Sequence, residues 1–131
     1  MKGSAPRRLR REIDEALNRH EKIEKLRARI RRLLVKWEPC LGIHVQTWKI
    51  KNAKSYWATM DERKSEIWFS AGLADMPSDF VEVIVVHELV HYLTDGHDPD
   101  FFELMDHHLP GWRRIYARYG RYDEVPGLYS A

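Results

Sequence analysis

One cysteine, Cys40, stands in 131 residues, so no internal disulfide can form and nothing points to an oxidising compartment. No apolar run approaches the length needed to cross a bilayer. The basic start, MKGSAPRRLRRE, has no apolar segment behind it and lacks the pattern of a secretory signal. Repeats and low-complexity tracts are missing too. A cytoplasmic protein that does not engage a membrane is expected.

What remains is a composition 44% hydrophobic and 32% charged, that of a globular chain long enough to bury one core. Its charge is uneven. Residues 1–38 hold 13 Lys and Arg against 6 Asp and Glu, whereas residues 39–131 hold 9 against 14. A basic leader on an acidic body raises nucleic acid as a partner, through phosphate contacts by RRLRRE and RARIRR. A solvated helix face whose long stems cover apolar surface explains the same residues more economically and is favoured.

From Arg7 to Trp37 apolar residues recur in steps of three and four (Leu9, Ile13, Leu17, Ile23, Leu26, Ile30, Leu33, Leu34), which predicts one long amphipathic helix. Pro39 and Gly42 are expected to end it. Three short β-type segments follow, at 43–50, 55–60 and 66–70, the last two joined as a hairpin by DERKS. From about Asp79 to Thr94 the sequence is apolar nearly all round, the mark of a buried helix, with Asp79 and Glu82 fitting a capping box. Asp98 and Pro99 should start a further helix running to about His108, and WRRIYARYG a last one. The expected organisation is one domain over 1–131: a basic helix over 1–38, a core over 39–120 and an irregular tail over 121–131.

The buried helix carries the chemistry. His87 and His91, four residues apart, share one helical face, where a single zinc ion can accept both imidazoles. Glu88 is placed to take a proton from water in the open coordination position, the H-E-x-x-H arrangement with glutamate as general base. A third ligand is required. Were the helix to continue, residue 97 would lie about 240° round from residue 91 and about 9 Å along the axis, facing away. Gly96 is the residue able to adopt positive φ and turn His97 back. Chance alone would produce H-E-x-x-H about 0.03 times in this composition, and about 0.002 times with a third histidine at a fixed position. Asp95 is a candidate to orient the His91 ring, with a solvated acid at a helix end as the equal alternative. Tyr56, Tyr92 and Tyr122 are candidates for stabilising a developing oxyanion, each otherwise a packing residue. Glu103, with Asp106 behind it, is an alternative third ligand, but His97 is better placed. EIWFS is a candidate sheet edge for an extended peptide, with an ordinary interior strand as the alternative.

At these residues the sequence resembles the YgjP-like zinc metallopeptidases and, more distantly, the SprT-like proteases. The resemblance runs over about residues 50–116: Lys54 with Trp57, then IWFS, VVHELVH, Gly96-His97-Asp98, Phe101-Phe102 and Pro110-Gly111-Trp112. It departs from the family pattern at Tyr56-Trp57-Ala58-Thr59-Met60, where arginine, glycine and cysteine are usual, and at Gly96 and Asp98 around the third histidine. The resemblance implies a small zincin-like α+β domain: a long N-terminal helix, a short antiparallel three-stranded sheet, a central H-E-x-x-H helix and C-terminal helices. It further implies one Zn²⁺ on His87, His91 and His97, Glu88 as base, and a peptide or protein substrate. The alternatives are a metal-dependent endoribonuclease-like hydrolase, against which glutamate at 88 argues, and a nucleic-acid- or partner-binding module with a structural zinc.

Overall fold

A computed structural model of the chain describes residues 6–61, 63, 65–94 and 96–119. Its first element is α1, Arg7–Leu41, about 52 Å long at 1.5 Å per residue. The face it buries is Leu26, Ile30, Leu34, Trp37 and Leu41, all in its second half. Among the described residues none before Leu26 is buried, and the apolar positions Leu9, Ile13 and Leu17 are 43%, 48% and 58% exposed. Pro39 does not end the helix, contrary to expectation. It sits in the last turn, and Gly42 at φ 69° stops the chain, its N–H donating to the Glu38 carbonyl. Glu38 then accepts from the Val45 N–H at 2.7 Å, which fixes the way out of the helix.

Three strands follow: β1 (Thr47–Lys51), β2 (Ala58–Asp61) and β3 (Glu66–Ser70), arranged β1-β3-β2. The hairpin forms as expected, with Ala58 opposite Phe69 and Asp61 opposite Glu66. The sheet is not antiparallel throughout, however. β1 pairs parallel to β3, Thr47 opposite Glu66 and Lys51 opposite Ser70. The connection after β1 skips a place, so β2 takes the far edge and β3 folds back into the gap. β3 wins the centre because Ile67 and Phe69 are fully buried and Glu66 and Ser70 nearly so. EIWFS is therefore an interior strand with a neighbour on each side, and the sheet-edge reading fails.

A short 3₁₀ turn, Ala71–Asp75, leads to α2, Ser78–Val90. Phe80, Val81 and every residue from Val83 to Val90 are buried, so α2 is the central helix that its composition predicts. The capping box does not form. Pro77 occupies the N-cap without a side-chain bond, Asp79 accepts from the Phe80 N–H, and Glu82 turns to α1, where its Oε2 accepts from Lys36 Nζ and Trp37 Nε1, both at 2.8 Å. The helix also stops earlier than expected. The Tyr92 and Leu93 N–H groups donate to Leu89 and Val90, three residues back, so the last turn tightens.

Gly96, at φ 66°, reverses the chain. Asp98 then caps α3 (Pro99–His108), its Oδ1 accepting from the Phe101 N–H at 2.9 Å, with Pro99 in the first turn. Phe101 and Met105, one turn apart, face inward. Gly111, at φ 86°, precedes α4 (Trp112–Tyr119), which buries Trp112 and Tyr116. The expected tail over 121–131 lies outside the described residues. Among the described residues no helix is long and apolar enough to cross a membrane.

Candidate metal centre

α2 buries His87 and brings His91 to its C-terminal end, one turn on. The tight turn, Gly96 and the Asp98 cap then fold His97 back. The three side chains meet: His97 Nε2 lies 3.0 Å from His87 Nε2 and 3.2 Å from His91 Nε2. Their ligand atoms all fall within 4.8 Å of one another, a group able to hold a metal ion.

Burial sets the protonation of this cluster. It drives the His87 imidazole well below its usual pKa of 6.5, helped by repulsion from His91 and His97. His91 falls to about 4 through burial and the charge of His97, and burial lowers His97 as well. At neutral pH three uncharged imidazoles thus turn their Nε2 atoms toward one point. Ligands arranged tetrahedrally about 2.0–2.1 Å from an ion lie about 3.3–3.4 Å apart, close to the observed separations. An all-imidazole set with no thiolate suits Zn²⁺, as it suits other first-row divalent metals. The residues present fit the group.

Glu88, next to His87, is only 5% exposed, and an acid buried on an apolar helix is costly to keep without use. Burial raises the Tyr92 phenol above its usual 10.0 and the charges of Glu88 and Glu38 raise it further, so it stays protonated. Its hydroxyl is nevertheless shut off from solvent with no hydrogen-bond partner among the described residues, which favours packing over contact with substrate. Tyr56 lies half-buried in the connection leading to β2. Asp95 and Tyr122 lie outside the described residues. Glu103 is exposed on the outer side of α3 beside Leu93, Thr94 and His107, and Asp106 accepts from Trp112 Nε1 and Arg113. Neither joins the histidine cluster.

Sequence reasoning missed Phe101. Its ring contacts all three imidazoles, at 5.0 Å from His87, 5.1 Å from His91 and 4.6 Å from His97 between centroids. The signal was present: a helix capped at Asp98 turns its third and seventh positions, 101 and 105, to the same side. Tyr116, 5.8 Å from His87 and fully buried, was missed as well.

An α+β fold whose buried helix presents H-E-x-x-H, with a further histidine folded onto it, is the arrangement of a small metallopeptidase. The chain belongs to the YgjP-like metallopeptidase domain family, which it matches over residues 2–119. It is thus a metallopeptidase, a hydrolase whose family implies peptide or protein substrates. Among solved structures it is similar to the metallopeptidase zymogen abylysin of Pyrococcus abyssi, with a TM-score of 0.60 and 21% identity, covering 72% of this chain and 99% of that one. At that identity the likeness shows the fold. No curated protein matches the chain.

Proposed function

We propose that the whole chain forms one cytoplasmic catalytic domain, a zinc-dependent peptidase in which His87, His91 and His97 hold the metal and Glu88 is the general base. The observation that carries this reading is the meeting of three uncharged Nε2 atoms, that of His87 standing on α2 directly before the buried carboxylate of Glu88. Zinc in that position would supply a Lewis acid for the scissile carbonyl and lower the pKa of water. Glu88 takes the proton of the attacking water as the new C–O bond forms, and returns it to the leaving nitrogen as the C–N bond breaks. The apolar walls of α2 and Phe101 keep bulk water from the imidazoles and hold them unprotonated, ready to ligate. The lone, exposed Cys40 accords with a reducing compartment.

The test is metal content and hydrolysis of an unfolded protein by wild type, Glu88→Gln and His97→Ala. Glu88→Gln should keep one zinc per chain and lose activity by about 10²–10⁴-fold, the range for a general base. His97→Ala should lose zinc. Normal zinc in His97→Ala, or full proteolysis in Glu88→Gln, defeats the assignment. Cleavage of RNA but not protein would favour the endoribonuclease alternative.

A further inference from the structure

A histidine that ligates a metal is ordinarily held by a hydrogen bond at its other ring nitrogen, which fixes tautomer and orientation. His87 lacks that support: its Nδ1 is buried with no hydrogen-bond partner among the described residues. Packing must therefore aim the ring. The Phe101 ring crosses His87 at 64°, stacks on His91 at 25° and meets His97 at 59°. These contacts come from the end of α2, the turn after it and the first turn of α3. Phe101 is itself fully buried and braced from behind by Trp112, edge-on at 6.0 Å. Trp112 is tied down in turn, its Nε1 donating to Asp106 Oδ1 at 2.8 Å while Arg113 grips the same carboxylate.

We infer that Phe101 is a positioning residue of the metal centre, the aromatic floor that holds His87, His91 and His97 in convergence. This rests on the three histidines being the ligands. An aliphatic side chain of similar volume fills the core but offers no flat surface for three rings, so the imidazoles gain freedom and the preformed site loosens. The His87 ring suffers most, its Nδ1 having no hydrogen-bond partner among the described residues.

The experiment is titration of the metal-free protein with Co²⁺, followed by visible absorption and by competition with a chelator, for wild type, Phe101→Leu and Leu26→Ala. Leu26 is a buried residue of α1, and its truncation reports what plain loss of stability does to the site. Phe101→Leu should bind cobalt about 10–100-fold more weakly, the range for groups that orient a metal ligand, with a shifted visible spectrum. Leu26→Ala should lower the melting temperature yet bind cobalt with the wild-type affinity and spectrum. Wild-type affinity and spectrum in Phe101→Leu would overturn the inference, as would equal weakening in Leu26→Ala. Failure of wild type to take up cobalt would instead overturn the ligand assignment beneath it. Should Phe101→Leu not fold, Trp112→Phe replaces it: that change frees the brace from Asp106 and should weaken binding in the same direction by less, and unchanged binding overturns the inference.

Discussion

Two helices in this protein were built under opposite constraints. α1 buries five of its 35 residues and carries its charges in water, where pairs such as Arg8–Glu12, with both side chains more than half exposed, contribute at most a few tenths of a kcal/mol. α2 buries ten of its 13 residues, two of them His87 and Glu88. A polar side chain on α1 can be there for solubility alone. On α2 each buried one must offset its desolvation, so His87 and Glu88 are where chemistry should be sought.

The same residue type in the two settings gives the largest expected contrast. His20 is exposed on α1, whereas His87 is buried on α2. His87→Ala should empty the site and reduce peptide hydrolysis by more than the roughly 10–100-fold typical of groups that merely orient a ligand. His20→Ala should change neither metal content nor rate, and loss of either would show that α1 takes part in the reaction. Truncating an apolar residue in each helix makes a smaller contrast, read from denaturant unfolding. Ile84→Ala on α2, 1% exposed, should cost about 2–5 kcal/mol. Leu17→Ala on α1, 58% exposed, should stay within about 0.5 kcal/mol. A large loss at Leu17 would mean that something covers that stripe in solution.

That stripe marks where the sequence stopped being informative. Periodicity told which face of α1 is apolar, but Leu9, Ile13 and Leu17 continue the pattern with nothing burying them among the described residues. α2 was legible because an all-round apolar helix has one place to go, and His97 because Gly96 supplied the needed turn. The parallel pairing of β1 with β3 was not, since it depends on which strand best fills the centre. Phe101 was noted only as part of the family pattern, because its contacts with the three imidazoles are made by the folded turn and no local pattern displays them. Glu82 was misread for the same reason: its partners are 46 and 45 residues away, and a capping box is the only use visible locally.

Glu82 is also where the two helices meet, and it yields the smallest effect. Burial pushes its carboxyl up, but the hydrogen bonds from Lys36 and Trp37 and the charge of Lys36 outweigh that and hold it below the ordinary 4.5. A carboxyl whose pKa is lower folded than unfolded adds stability that is complete above the unfolded value and fades as pH falls through the folded one. Unfolding free energies of wild type and Glu82→Gln, measured from about pH 7 down to about pH 3, should therefore differ by a constant amount until about pH 4.5 and then converge. Other acids titrate equally in both proteins, so the gap isolates this one. Added salt should narrow it at pH 7 by screening Lys36, while leaving the part owed to the neutral Trp37 donor. A gap that stays flat down to pH 3 would mean that the ionised carboxylate gives α1 nothing an amide cannot, and that burial of Trp37 and Leu34 alone joins the charged helix to the apolar one.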